Sequence, residues 1–257
     1  MRADPFPDDA LVRNAFLGGR VQLWQPVEGY RAGIDPVLLA ATIPARSGES
    51  VLELGCGAAP ALCCLGVRVP GLKLAGLEIQ PGYAALARRN LEGNGLDGEV
   101  FEGDIATPPA TLRALTFDHV LANPPYFEAD RRSAAPDVGR EMALAGPAPM
   151  AAWAALAARR LRPRGTMTFI QRVERLPELL AAMQAVFGSL ELWPLAPRAG
   201  RAPRLILARG RKGGRAAFRF HPALVLHEGA RHLEDGEDYT DVIRATLREG
   251  KRMDFPV

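Results

Sequence analysis

The stretch VLELGCG, residues 51–57, joins a short apolar run to a turn with two glycines, and a helical pattern over residues 62–67 follows it. A short apolar run that ends in such a turn indicates a strand buried on both faces. Glycine lets the backbone approach a ligand closely, and the ligand then lies at the carboxyl end of the strand beside a helix N-terminus. The stretch predicts an α/β fold with a binding site directly after Leu54.

The alternation of strand and helix continues along the chain. Further apolar runs, each ended by glycine, proline or a polar residue, predict strands at residues 74–77, 117–121 and 167–170. Helix-forming stretches with apolar residues three and four positions apart predict helices at residues 83–91, 151–161 and 176–187. We therefore expect a mostly parallel sheet with helices on both faces.

The two ends of the chain complete this sheet. Residues 190–193 and 205–208 are apolar runs with only a turn-rich connection between them, which predicts a C-terminal antiparallel hairpin. Beyond the hairpin, residues 218–226 are predicted to be extended, and residues 239–248 to form a helix.

The first part of the chain has its own pattern. Residues 1–45 are predicted to be an extension that packs on the core, and residues 46–257 to form the main domain. A strand is predicted at residues 21–24. A helix is predicted to start at Asp35, with this aspartate as N-cap and Pro36 at the first helical position.

Composition places the chain among ordinary globular proteins, with 48% hydrophobic and 24% charged residues. The longest uncharged stretch, residues 142–158, is interrupted by glycine and proline, and it is too short and too weakly apolar to span a bilayer. The first ten residues carry three aspartates and no apolar core, so no secretory signal is expected there. We expect a cytoplasmic protein with no membrane partner.

The cysteines and His119 are expected to be structural. Cys56, Cys63 and Cys64 are too few for a disulfide framework, and their spacing matches no zinc pattern. We expect them to be small core side chains, and no bound metal is expected. His119 lies inside a predicted strand, where a hydrogen-bonded core residue is the expected role.

The positive charge of the chain is unevenly distributed. The formal net charge is only +3, yet no acidic residue occurs from Leu192 to His227. A basic run of this kind suits a phosphate backbone and predicts contact with nucleic acid. Its cations are Arg198, Arg201, Arg204, Arg209, Arg211, Lys212, Arg215 and Arg219.

Carboxylates lie at three successive predicted strand ends. Glu78 ends the second strand and can accept both hydroxyls of a ribose, while Asp104 follows the third and can accept from an adenine amino group. Glu53, just before Gly55 and Gly57, suits the ammonium of a methionine moiety. Together these residues predict an adenosine ligand held against the glycine turn.

A nicotinamide dinucleotide is the alternative ligand for a glycine turn of this type. Its fingerprint requires a third glycine at the helix start and uses the backbone donors there for a pyrophosphate. Here Ala59 occupies that position, and Pro60 removes a backbone N–H. The turn therefore favours the adenosine of a different cofactor.

The motif Asn123-Pro124-Pro125-Tyr126 follows the strand predicted at residues 117–121. With the acidic strand and the glycine turn upstream, it resembles the motif of the adenine-N6 and glutamine-amide methyltransferases. The resemblance implies a seven-stranded Rossmann-like fold and S-adenosylmethionine as methyl donor.

The same resemblance implies how the motif acts. The Asn123 side-chain oxygen and the Pro124 carbonyl accept the two hydrogens of a planar NH2 group, and Tyr126 stacks on the base. The nitrogen lone pair is then aimed at the methyl group. Near-attack geometry of this kind can supply up to about 7–11 kcal/mol of the barrier reduction, with no general base or metal.

The N-terminal segment resembles one particular family within these methyltransferases. Residues 25–26 (QP), 29–31 (GYR) and 34–40 (IDPVLLA) are similar to the bacterial adenine-N6 methyltransferases that act on a valine tRNA beside its anticodon. The similarity runs from about residue 16 to residue 209 and implies tRNA as partner. It departs at Ala59, where the family usually has a further glycine. The residues expected to contact the substrate are Tyr126, Phe127, Arg131, Arg132, Arg198 and Arg201.

Several alternatives remain at this stage. The same cradle accepts a glutamine side chain of a translation factor, or an adenine of ribosomal RNA or DNA. The basic hairpin favours RNA over a protein substrate. A non-catalytic RNA-binding domain is the alternative from another class, with Ala59-Pro60 as its support, and a nicotinamide-dependent reductase leaves the motif at Asn123 unexplained.

Overall fold

The computed structural model describes residues 6–125, 148–229 and 238–256. Its strands are β1 (Leu11–Phe16), β2 (Val21–Pro26), β3 (Ser50–Leu54), β4 (Lys73–Glu78), β5 (Gly98–Glu102), β6 (Phe117–Ala122), β7 (Leu161–Arg172), β8 (Gly188–Ala196), β9 (Leu205–Arg211), β10 (Arg219–Phe220) and β11 (Leu224–Val225). Its α-helices are α1 (Asp35–Thr42), α2 (Pro60–Arg68), α3 (Pro81–Gly93), α4 (Ala110–Arg113), α5 (Met150–Arg160), α6 (Leu176–Gln184) and α7 (Asp241–Glu249).

The main sheet has the order β10-β8-β9-β7-β6-β3-β4-β5, and β11 pairs with β8. Strands β3 to β7 pair in parallel, and β9 is antiparallel to both β7 and β8. The predicted mostly parallel sheet with an antiparallel hairpin is therefore confirmed, with seven strands from β3 to β9. The predicted extended segment after the hairpin adds the two-residue strands β10 and β11.

The apolar pattern of β3 explains why the sheet has a core on each face. All five residues of β3 are buried, and alternate side chains point to opposite faces. Val51 packs in the cluster built with α1 and α2, whereas Leu52 and Leu54 pack in the cluster built with α5 and α6. Burying one such leucine contributes about 1.5–3 kcal/mol.

The N-terminal segment forms its own two-stranded sheet, β1 paired with β2. Asn90 on α3 joins it to the core, since its side chain accepts a hydrogen bond from the Trp24 N–H (2.7 Å) and donates to the Trp24 carbonyl (3.0 Å). Strand β1 has no counterpart in the sequence prediction. The helix predicted to follow Asp35 as N-cap is present, but α1 begins at Asp35 itself with Ile34 as cap.

One predicted helix is shorter in the structure. The predicted helix at residues 176–187 ends earlier, at Gln184, because the chain turns there into β8. Within the three described ranges, no helix has the length and apolar character that crossing a membrane requires.

Candidate active site

The strand order of the main sheet reverses between β3 and β6, which creates a crevice at their carboxyl ends. Leu54 at the end of β3 is in register with Ala122 at the end of β6 and with Leu77 near the end of β4. The residues that follow these strands therefore lie side by side. We call this the catalytic edge of the sheet, and it brings together Glu53, Gly55, Glu78 and Asn123, as predicted.

The glycine turn has a backbone that requires glycine. Gly55 has φ +63°, and a Cβ there would lie 2.7 Å from the Trp153 ring. Gly57 has φ +55°, and its N–H donates a hydrogen bond to the Glu78 carboxylate. Ala59 is also left-handed, with φ +62°, and it caps α2 ahead of Pro60. This conformation costs a non-glycine residue about 1–2 kcal/mol.

Glu53 is buried at the centre of the crevice. Burial raises the pKa of its carboxyl well above the usual value, a backbone hydrogen bond from Leu62 lowers it, and the nearby Glu78 raises it further. Among the described residues, none donates a hydrogen bond to its Oε2. A buried carboxylate with one open oxygen fits a cationic group such as an ammonium.

Glu78 is held rigidly beside the glycine turn. Its Oε2 accepts a hydrogen bond from the Gly57 N–H and its Oε1 accepts one from the Gln80 N–H, each at 2.9 Å. Burial nevertheless raises the pKa of this carboxyl. Each oxygen keeps a further lone pair, so the pair fits two vicinal hydroxyls. Asp104 lies two residues beyond β5, partly exposed, and accepts a hydrogen bond from the Ala106 N–H at 2.9 Å.

Asn123 follows β6 with its side-chain oxygen turned inward. The Oδ1 atom is buried and has no hydrogen-bond partner within the part of the chain that the structure describes. The Pro124 carbonyl accepts a hydrogen bond from the Gln171 side chain at 3.3 Å, and the Pro125 carbonyl accepts one from Arg175 at 3.4 Å. An open acceptor next to an anchored carbonyl fits a group with two N–H donors.

Sequence reasoning missed three residues that shape this site: Gln171, Arg175 and Tyr30. Gln171 is fully buried at the end of β7, two positions past the residue that pairs with Ala122. Its signal was a polar residue directly after an apolar run. Tyr30 lies in a segment used only for the resemblance; its N–H donates to the Tyr83 hydroxyl at 3.1 Å, and burial raises the pKa of its own hydroxyl to about 12.

The predicted substrate residues fall into two groups. Tyr126, Phe127, Arg131 and Arg132 lie outside the described residues. Arg198 and Arg201 lie in the connection between β8 and β9, which joins the two strands at the catalytic edge. The Arg198 guanidinium is paired with Asp238 and the Glu228 carbonyl, whereas Arg201 is exposed.

The predicted basic run divides between two edges of the sheet. Because β9 runs antiparallel to β7, its first residue lies at the catalytic edge and its last at the opposite edge, about 20 Å away for seven residues. Arg201 and Arg204 therefore lie at the catalytic edge, and Arg211 and Arg215 at the far one. Between them, Arg209 pairs with Glu191. The basic run is therefore continuous in sequence but does not form one continuous surface.

The cysteines and His119 are part of the packed core, with Cys56 inside the glycine turn itself. All three cysteines are free and buried, as predicted. The His119 ring contacts the Thr166 hydroxyl at 2.7 Å and the Glu49 carboxylate at 3.1 Å. Burial lowers the pKa of His119, and Glu49 opposes that shift. The predicted hydrogen-bonded core role of this histidine is confirmed.

Known methyltransferases are similar to this chain in sequence. The family model of the methyltransferase small domain matches residues 32–194. A tRNA1(Val) (adenine(37)-N6)-methyltransferase of Glaesserella parasuis is 24% identical over 82% of this chain and 89% of its own length. A release factor glutamine methyltransferase of Geobacter sulfurreducens is 36% identical over 37% of this chain, and the match spans only 32% of that relative.

Solved structures share the fold. A protein described as a predicted O-methyltransferase from Agrobacterium tumefaciens superposes with a TM-score of 0.70 at 24% identity, covering 87% of this chain and 100% of that one. The 16S rRNA N2 G1207 methyltransferase of T. thermophilus, solved with AdoMet and guanosine, gives 0.53 at 20% identity over 79% of this chain and 50% of that one. The chain belongs to the methyltransferase small domain family and is an S-adenosylmethionine-dependent methyltransferase.

Proposed function

We propose that this enzyme methylates the N6 amine of an adenine in tRNA, beside the anticodon of a valine tRNA. The observation that carries the proposal is the buried, open Oδ1 of Asn123 next to the Pro124 carbonyl. Two neighbouring acceptors match the two hydrogens of an exocyclic amine. The relative named as a tRNA1(Val) adenine methyltransferase, which aligns with 82% of the chain, supports the choice of nucleic acid.

The residues of the crevice fit the cofactor. Glu53 would accept the α-ammonium of the methionine part, Glu78 the two ribose hydroxyls and Asp104 the adenine amine, with Gly55 and Gly57 giving the close backbone approach. When bound, S-adenosylmethionine supplies an electrophilic methyl group on a sulfonium sulfur.

In the reaction, the chain's own residues would orient the amine and stabilise the positive charge that develops on its nitrogen. The amine nitrogen of adenine is a poor nucleophile because its lone pair is delocalised into the ring. Asn123 and Pro124 would accept its two hydrogens, so that the lone pair points out of the base plane and the positive charge that develops on nitrogen is stabilised. Gln171 and Arg175 hold the carbonyls of Pro124 and Pro125 in place.

The direct test is incubation with labelled methyl donor and unmodified tRNA, followed by nucleoside digestion. We expect the label in N6-methyladenosine of the valine tRNA. Label found only in ribosomal RNA, in DNA or in a glutamine of a translation factor would overturn the substrate assignment while keeping the methyltransferase. No transfer to any of these substrates, with cofactor binding retained, would favour a non-catalytic RNA-binding domain.

Cofactor affinity is expected to rise with pH through the pKa of Glu53. Burial raises the pKa of this carboxyl, so in the cofactor-free enzyme it keeps its proton to a higher pH than an exposed carboxyl does, and a bound ammonium would favour the loss of that proton. Binding should therefore release protons over the pH range in which the carboxyl of the free enzyme is still protonated. Calorimetry in buffers of different ionisation enthalpy measures that release, and a proton count of zero together with a flat pH profile would contradict the role of Glu53.

The divided basic run gives a prediction for RNA binding. Replacing Arg201 and Arg204 with alanine should raise the KM for tRNA and reduce the slope of log affinity against log salt by about one to two, because each lost phosphate contact contributes about 0.7–0.9. The matched control is the pair Arg211→Ala and Arg215→Ala, two exposed arginines at the far edge. Equal effects of the two pairs would rule out RNA binding confined to the catalytic edge.

A further inference from the structure

Glu178 lies in the first turn of α6, and its carboxylate binds two other parts of the molecule. Its Oε2 accepts two hydrogen bonds from Arg175, at 2.6 Å from Nη2 and at 3.2 Å from Nε. Its Oε1 accepts the Met150 N–H at 3.1 Å. Met150 is the first residue of α5. The carboxylate of α6 therefore binds the N-terminus of α5.

The N-terminus of α5 gives the physical reason for a carboxylate at this place. The first N–H groups of a helix have no partner inside the helix, and the helix dipole favours a negative charge there. Pro149, which caps α5, offers no side-chain hydrogen bond, so Glu178 supplies the acceptor. The hydrogen bond from Arg175 lowers the pKa of the Glu178 carboxyl, burial opposes this shift and the Met150 N–H adds to it. The carboxylate is therefore ionised at neutral pH.

Arg175 connects Glu178 to the motif that begins at Asn123. It lies in the turn between β7 and α6, and only 16% of its side chain is exposed. Its Nη1 donates a hydrogen bond to the Pro125 carbonyl at 3.4 Å. Pro125 lies three residues beyond the end of β6, so strand pairing does not hold its backbone. Arg175 holds it instead, and Glu178 fixes the direction of the guanidinium.

Trp153 connects the N-terminus of α5 to the glycine turn. It lies in the first turn of α5, and its ring packs directly against Gly55, where an added Cβ would lie 2.7 Å from the ring. Its indole N–H donates to the Ala148 carbonyl at 3.1 Å, so the ring cannot rotate without losing this bond. Trp153 is buried. A displacement of the start of α5 would therefore also displace the glycine turn.

These contacts form a continuous connection between the motif and the glycine turn, made by Pro125, Arg175, Glu178, Met150, Trp153 and Gly55. In the proposed function the motif holds the amine, and the glycine turn holds the methyl donor. Methyl transfer requires the nitrogen and the methyl group in line, about 3–3.5 Å apart. The spacing between the motif and the turn therefore bears directly on the rate.

We propose that Glu178 is a positioning residue, which sets the spacing between the motif at Asn123 and the glycine turn by binding Arg175 and the N-terminus of α5 at the same time. This inference rests on the proposed function, in which those two segments hold the amine and the methyl donor. It adds a determinant that touches neither ligand and lies outside the sheet.

The test is Glu178→Ala, which removes both connections of the carboxylate. We expect kcat for methyl transfer to fall about five- to tenfold, the effect of losing about one net hydrogen bond. The KM for tRNA and the dissociation constant for S-adenosylhomocysteine should not change, because no residue proposed to bind either ligand is replaced. Glu178→Gln keeps a carbonyl oxygen that can accept one of the hydrogen bonds, and it should lower kcat by a smaller factor.

Asp241→Ala is the matched control. It breaks the Asp241–Arg244 ion pair of α7, which has the same three-residue spacing and the same 2.6 Å distance as the pair of Arg175 with Glu178. It should leave kcat unchanged. Wild-type kcat in Glu178→Ala, or an equal loss in the two variants, would overturn the proposal.

A charge-swapped double variant, Arg175→Glu with Glu178→Arg, separates positioning from the stability of an ion pair. It restores opposite charges at the two positions, but it places a carboxylate against the Pro125 carbonyl and a guanidinium against the Met150 N–H. Both contacts are then repulsive, so kcat should stay at least as low as in Glu178→Ala. Recovery of kcat together with the melting temperature would assign the pair a structural role only.

A readout that needs no substrate distinguishes this inference from the proposed function. The Trp153 indole N–H gives a signal in proton–nitrogen correlation spectra of the free enzyme, which Trp153→Phe identifies by its loss. Glu178→Ala should shift this signal, and Asp241→Ala should not. If the signal shifts but no nucleic acid is methylated, the connection stands and the substrate proposal fails. An unchanged indole signal in Glu178→Ala overturns the inference whatever the substrate is.

Discussion

Asn123→Ala is expected to lower kcat of methyl transfer by about 10²–10³, the usual effect of deleting one preorganised hydrogen-bonding group that acts on developing charge. The variant removes the acceptor that orients the amine, and the Pro124 carbonyl alone cannot fix the lone pair. Steady-state kinetics with saturating tRNA and cofactor measure the effect. A variant that retains wild-type kcat would remove the basis of the proposed function.

Stability and cofactor binding serve as controls for this variant. Oδ1 is a buried acceptor without a partner in the described part of the chain, so deleting it should not lower the melting temperature. The affinity for S-adenosylhomocysteine should also stay the same, since Glu53 and Glu78 bind it in the proposal. Loss of folding or of cofactor binding would assign Asn123 a structural role.

Glu53→Gln is expected to weaken S-adenosylmethionine binding by about two orders of magnitude, because removing one partner of a buried charge pair costs about 2–5 kcal/mol. The substitution keeps the size of the side chain and removes its ability to become an anion. It should also abolish the pH dependence of binding described above. Calorimetric titration with S-adenosylhomocysteine, which carries the same ammonium, measures both effects.

The control for Glu53→Gln is Glu99→Gln, which makes the same chemical change at an exposed position on β5. It should leave affinity unchanged. The free enzyme with Glu53→Gln should be at least as stable as the wild type, since burial disfavours the ionised carboxylate. If affinity does not fall, the α-ammonium is bound elsewhere and Glu53 serves only to cap α2 through Leu62.

The sequence predicted those residues of the site that lie next to the end of a strand in the chain. Glu53, Glu78 and Asn123 each lie at or directly after the end of an apolar run, and the carboxyl ends of parallel strands share one edge, so their convergence was predictable. Tyr30 and Gln171 were not, because their roles depend on a loop anchored to α3 and on the register of β7 against β6. Neither contact leaves a periodic pattern in the chain.

The basic run also shows that a local sequence pattern does not predict which residues lie on the same surface. Eight cations follow one another in sequence without an intervening acid, but the direction of β9 carries Arg211 and Arg215 away from Arg201 and Arg204. Arg198 is further occupied by Asp238, which lies forty residues later in the chain. Charge density can be taken from sequence, whereas the partners of each charge depend on the packed fold.

By itself, the sequence determined the α/β class, the order of strands and helices, the glycine turn and the acidic strand ends. The reason is physical: burial on both faces requires continuous apolar runs, and a left-handed turn at a ligand favours glycine. Only the tertiary structure decided that Tyr83 anchors the loop of Tyr30, that Gln171 holds the Pro124 carbonyl and that the basic run divides between two edges. Those contacts join residues far apart in the chain, and their geometry exists only once the strands have paired and the N-terminal segment has packed on α3.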